Sequence, residues 1–99
     1  MKLTLRVLPD AEVELIEAAA WYESRCAGLG ADFLSSVDEA TALLLEHPEL
    51  GASWRRGHPA HTLAMRRFPY LIVYRRRGEE LQVVAFAHAK RRPGYWAKR

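Results

Sequence analysis

Tyr70-Leu71-Ile72-Val73-Tyr74-Arg75-Arg76-Arg77-Gly78-Glu79-Glu80-Leu81-Gln82-Val83-Val84-Ala85-Phe86-Ala87-His88 reads as two strands folded about one tight turn. Tyr70 to Tyr74 is almost wholly apolar, as expected of a central strand covered on both faces. Gly78, Glu79 and Glu80 interrupt the pattern with turn chemistry, so the predicted strands are Tyr70–Arg75 and Leu81–His88, joined as a hairpin. An apolar hairpin cannot stand alone; something in the remaining chain has to cover it.

Working outward, Thr62–Arg67 supplies a third strand, preceded by a Gly- and Pro-rich loop from Pro48 to Ala60. Further upstream the hydrophobic period changes from two to 3.6. Phe33, Val37, Ala40 and Leu44 recur at helical spacing, which predicts a helix over about Ala31–Glu46, ended by the restriction Pro48 places on His47. Ala11, Leu15, Ala18 and Tyr22 form the same kind of stripe, widened by Val13, Ile16 and Ala20. Asp10 is the expected cap of that first helix, and the turn bracketed by Gly28 and Gly30 folds the two helices into a hairpin. At the start, Leu3, Leu5 and Val7 alternate with Lys2, Thr4 and Arg6 as in a half-buried strand. The expected fold is α+β, in the order β-α-α-β-β-β, with the helical hairpin packed on a twisted, mainly antiparallel sheet. The segment Lys90–Arg99, carrying Pro93 and Gly94, is expected to leave the sheet.

Acid and base are segregated along the chain. Residues 1–50 hold ten carboxylates and three basic side chains, whereas residues 51–99 hold twelve basic side chains against only Glu79 and Glu80. The net charge of +3 hides this asymmetry. A merely solvated face mixes signs, so the basic half points to an anionic partner, either nucleic acid or an acidic protein segment. Ninety-nine residues leave room for one core, so residues 1–99 are expected to form a single domain. The 49% hydrophobic fraction excludes a disordered chain, and no apolar run reaches the roughly 20 residues of a membrane span. With the alternating start in place of a continuous apolar leader and a lone Cys26, the expected setting is the cytoplasm.

Catalytic motifs are mostly missing. There is no phosphate loop, no serine elbow and no metal-ligand motif; His58 and His61 lack a partnering Cys or carboxylate, so neither metal nor cofactor is expected. Cys26 is expected to be a packed or solvent-grazing thiol, and the carboxylates of the first helix a solvated outer face. Trp54-Arg55-Arg56 falls in a loop, where it either binds or closes over the core.

Two stretches remain: Arg66-Arg67-Phe68-Pro69-Tyr70-Leu71-Ile72-Val73-Tyr74-Arg75, and His88-Ala89-Lys90-Arg91-Arg92-Pro93-Gly94-Tyr95-Trp96. With the Trp21-Tyr22 pair, the Gly28–Gly30 turn and Phe33, they resemble the RelE/ParE superfamily of type II toxin–antitoxin toxins. The resemblance implies a growth inhibitor, as in plasmid stabilisation systems, held inactive by a cognate antitoxin. It also implies one of two mechanisms. RelE-like members are ribosome-dependent, metal-independent mRNA endoribonucleases; on that branch Arg67, His88, Lys90, Arg91 and Tyr95 are the candidate catalytic residues. ParE-like members bind and poison DNA gyrase without being nucleases; on that branch Arg75, Arg91, Arg92, Tyr95 and Trp96 are the candidate target-binding residues. Leu71 stands where RelE-like chains place an arginine for the scissile phosphate, and the short aromatic tail is similar to ParE-like endings, so the ParE-like branch is favoured. His88 also has a purely structural alternative at the end of its strand. Leu15, Tyr22, Arg66 and Arg67 are the expected antitoxin contacts, and no small-molecule substrate or membrane is implicated.

Overall fold

The computed structural model describes residues 2–99. Strand β1 (Thr4–Val7) leads into helices α1 (Pro9–Arg25) and α2 (Leu29–Glu46); strands β2 (Ala52–Ser53), β3 (His61–Ala64), β4 (Tyr70–Arg77) and β5 (Glu80–His88) follow. The five strands form one sheet in the order β1-β5-β4-β3-β2. β1 runs parallel to β5, and every other pair is antiparallel. The α+β order predicted from periodicity is therefore correct, with the short β2 added inside what the pattern reads as loop.

Local differences have local causes. Asp10 does not cap α1: Leu8 occupies the N-cap, Pro9 opens the helix where its missing N–H costs nothing, and Asp10 lies in the first turn near the positive helix end. α2 starts earlier than predicted because Gly28 adopts a left-handed φ of 88° at its N-cap. Its first N–H groups are received by the Glu23 carboxylate, from Gly28 at 2.9 Å and Gly30 at 3.0 Å. β3 stops at Ala64 rather than Arg67. β4 runs on to Arg77 and β5 starts at Glu80, leaving a two-residue turn whose first position, Gly78, has φ 60°.

The sheet is buried on both sides. On one face Ile72, Tyr74, Leu81, Val83 and Phe86 pack against Ala11, Ala18, Tyr22, Phe33, Val37 and Leu44 of the helical hairpin. On the other face Val73, Val84, Ala85 and Ala87 are covered by Ala60 and Trp96, with Trp54 and Tyr95 at the border. Residues 90–99 thus leave the ladder but fold back over the second face. Trp96 is 3% exposed and meets the Trp54 ring edge-to-face at 4.5 Å.

A β-bulge sets the phase of β5. Val73 pairs with Ala85 but Tyr74 pairs with Val83, so Val84 has no opposite residue. Before the bulge Leu81 and Val83 face the helices; after it Phe86 does, and His88 follows it. Without the extra residue the strand end would present His88 to the opposite face.

Candidate functional site

A groove of about 360 Å³ lies between α1 and the ends of β4 and β5, lined by Glu14, Glu17, Trp21, Tyr22, Tyr70, His88 and Arg91 among others. Its centre is Glu14. The sequence pattern assigns this carboxylate to a solvated helix face, yet its side chain is only 10% exposed. It accepts hydrogen bonds from the Tyr95 hydroxyl at 2.5 Å, the Arg99 guanidinium at 2.8 Å, Arg91 at 3.3 Å and the Phe86 backbone N–H at 3.1 Å.

The reason lies in the sheet. β1 is paired only as far as Val7 opposite Val83, followed by one further bond from Leu8 N–H to the Val83 carbonyl. Beyond that point β5 has no strand on this side among the described residues. Glu14 takes the Phe86 N–H and Arg99 donates to the Val84 carbonyl at 3.1 Å, so two side chains replace the missing strand. Arg99 also reaches Asp10 at 3.6 Å. No spacing rule in the sequence links positions 14 and 99; the nearest signal is that an acidic helix start and a basic tail are electrostatically matched.

The candidate residues of the ribonuclease branch come together only in part. His88, Arg91 and Tyr95 border the same region, whereas Arg67 sits by α2, where it pairs with Asp32 at 3.3 Å. Lys90 is exposed. His88 lies edge-on to Tyr70, ring centres 5.1 Å apart, and its Nδ1 accepts the Lys90 backbone N–H at 3.1 Å. That bond occupies Nδ1 and leaves Nε2 as the ring's one remaining polar atom. The Tyr95 hydroxyl is spent on Glu14, and its pKa is driven well above 10 by burial first, then by the Glu14 hydrogen bond and charge.

The candidate target-binding residues divide into supports and exposed groups. Trp96, one of the target-binding candidates, is instead a core residue that anchors the tail on the sheet. Tyr95 is sandwiched beneath Arg91, whose guanidinium carbon lies 3.7 Å from the ring centre, and near Arg99 at 5.1 Å. Arg75 donates to the Gln82 side chain and to the Arg99 backbone carbonyl, both at 2.9 Å, so it holds the tail. Burial, and then the neighbouring charge of Arg77, lower its pKa. Arg92 is exposed, and the Arg91 side chain remains 55% exposed despite its ion pair.

Of the expected antitoxin contacts, Leu15 and Tyr22 turn inward. Tyr22 is 9% exposed within the helix-side core and Leu15 packs against it, because both share the arc of Ala11 and Ala18. Arg66 and Arg67 line a second groove of about 400 Å³ between α2 and β3, with Leu43, Leu63 and Met65 forming its apolar part. Trp54 closes over the core, stacked by Arg55 at 4.6 Å, so that loop resolves to its structural alternative. Cys26 is exposed. Among the described residues, no three His, Cys, Asp or Glu side chains cluster as a metal cage would require, and no helix is long and apolar enough to cross a membrane.

Comparison with known proteins agrees with this architecture. The family model of the ParE toxin of the type II toxin–antitoxin system parDE matches residues 5–93. Among solved structures, a chain of the chromosomal ParDE toxin–antitoxin system from P. aeruginosa superposes with a TM-score of 0.75 at 18% identity, covering 90% of this chain and 98% of that one. Comparison with curated proteins gives no match. With a family match over nearly its whole length and the same fold, the chain belongs to the ParE family of type II toxin–antitoxin toxins.

Proposed function

We propose that this toxin arrests growth in the cytoplasm by occupying DNA gyrase, and that it does not cleave mRNA. The observation that carries this reading is the state of the strand-end cluster. Metal-free RNA cleavage needs a base for the ribose 2′-hydroxyl, an acid for the leaving group and a cation placed at the phosphorane. Here the His88 Nδ1 is occupied by the Lys90 N–H, the Tyr95 hydroxyl and Arg99 are bound to Glu14, and Leu71 stands where the phosphate-binding arginine would be required. What remains exposed, Arg91 and Trp21 on the groove and the neighbouring Arg92 in the chain, suits binding to a protein surface. Arg75, Tyr95 and Trp96 then serve that contact by holding the tail in place.

The cognate antitoxin is assigned to the groove between α2 and β3. An apolar floor rimmed by Arg66 and Arg67 suits an amphipathic segment with acidic flanks, ordered on binding. The test is a purified-component assay. The toxin should inhibit gyrase-catalysed supercoiling and accumulate cleaved DNA, and the antitoxin should reverse this. Primer extension after induction should show no codon-phased transcript cuts. Codon-phased cuts lost in His88→Ala would overturn the gyrase reading in favour of the ribonuclease.

A further inference from the structure

Helix α1 carries two apolar stripes, and only one is used by the core. At about 100° per residue, Ala11, Leu15, Ala18 and Tyr22 fill one arc while Val13, Ile16 and Ala20 fall within about 60° on the opposite side. The second stripe is open: Val13 is 53% exposed and Ile16 61%, and Trp21, also 53% exposed, stands beside it at the groove rim. Three of the seven large exposed hydrophobic side chains of the described residues therefore lie on this one helix.

Charge decides what covers the stripe. Glu12 and Glu17 flank it, one about 40° beyond each edge, by the same helical geometry. Neither has a hydrogen-bond or ion-pair partner among the described residues, in contrast to Asp10, Glu14 and Glu23. A second copy docked through the same stripe would bring these carboxylates against their counterparts. Nucleic acid and anionic lipid surfaces carry no cations to pair with these two carboxylates. We propose that the outward stripe of α1 binds an amphipathic helix of a partner protein whose apolar ridge is flanked by lysine or arginine. The site is separate in chemistry from the Arg66–Arg67 groove, which favours acidic flanks, and it does not depend on the gyrase reading. Ridge packing supplies contact area, and the two carboxylates fix register and polarity by pairing with basic flanks, as in helix-on-helix recognition.

The probe is a synthetic 18-residue amphipathic helix with a leucine ridge and lysine flanks, titrated into the ¹⁵N-labelled full chain; the control peptide has the same ridge with glutamate flanks. The lysine peptide should shift the amide signals of Val13, Ile16 and Ala20 saturably and bind at least about tenfold more tightly than the glutamate peptide. Ile16→Ser, at an exposed position, should preserve the melting temperature yet weaken binding by about tenfold or more, as expected for loss of a central anchor. Glu12→Gln with Glu17→Gln should weaken binding and flatten its salt dependence. Equal affinity for both peptides, shifts confined to other surfaces, binding indifferent to Ile16→Ser, or concentration-dependent dimerisation of the chain alone through this stripe would each overturn the proposal.

Discussion

The Tyr95 hydroxyl donates to the Glu14 carboxylate across 81 residues of sequence, at 2.5 Å, and with Arg91 and Arg99 this joins the tail to the first helix. Glu14→Ala should therefore be among the most damaging changes in the chain. It would leave the Phe86 N–H without its acceptor and Arg99, 19% exposed, without its main counter-charge. The cost is expected at about 2–4 kcal/mol, and Tyr95→Phe, which removes one hydrogen bond, at about 1 kcal/mol. Thermal melts should separate the two, since each kcal/mol shifts the midpoint by about 4–8 °C in a domain of this size.

Trp96 closes the second face of the sheet, so the tail is part of the core. Trp96→Ala should cost about 3–5 kcal/mol. Truncation before Pro93 should go further, because it also removes Tyr95 and Arg99 and uncovers Val84, Ala85 and Ala87. Loss of soluble folded protein, read by near-UV circular dichroism, should accompany any loss of toxicity. A truncated chain that folds normally yet is inactive would make the tail a contact surface and not a scaffold.

Alkaline pH should unfold this protein by a tyrosine route. Burial raises the pKa of Tyr22, Tyr70, Tyr74 and Tyr95 above the ordinary 10.0, with Glu14 adding to the effect at Tyr95. A group whose folded pKa lies above its unfolded value favours folding fully below the unfolded pKa, and that contribution is lost as pH rises past it. Stability should hold to about pH 10 and then decline as unfolded tyrosines release protons that folded ones retain. Melting temperatures between pH 9 and 11.5 test this, and Tyr95→Phe should reduce the slope.

Arg66 and Arg67 provide the charge test for antitoxin capture. Reversal of both to glutamate should slow association with the cognate antitoxin by about tenfold or more, with less effect on dissociation, because rim charges act mainly on encounter rates. Arg67 also loses its pair with Asp32, but both side chains are more than half exposed, so stability should change little. Surface plasmon resonance at two salt concentrations distinguishes the effects, since a steering contribution fades with added salt.

Much of the architecture was legible in one dimension. The alternation of β1, the apolar runs of β4 and β5, the 3.6-residue period of both helices and the Gly-Glu turn each arise from neighbours in sequence, and the element order follows from them. The motif set also carried the family, which the match over residues 5–93 bears out. The predicted stripe Ala11, Leu15, Ala18 and Tyr22 is the buried one, but Val13, Ile16 and Ala20, read as widening it, lie on the opposite side of α1 and stay open. The helix is apolar on two sides, and only the position of the sheet beneath it decides how far burial extends.

The sequence by itself determined every element but the short β2, their order and the basic character of the second half, because hydrophobic period, turn residues and charge are properties of local composition. The tertiary structure alone decided the site. Glu14 meets Arg99 because β1 ends short of the β5 terminus and leaves backbone groups in want of partners. His88 faces the groove because one unpaired residue, Val84, shifts the pleat. Both depend on pairings between distant segments, and hydrogen-bond satisfaction across a fold has no signature in the spacing of residues along a chain.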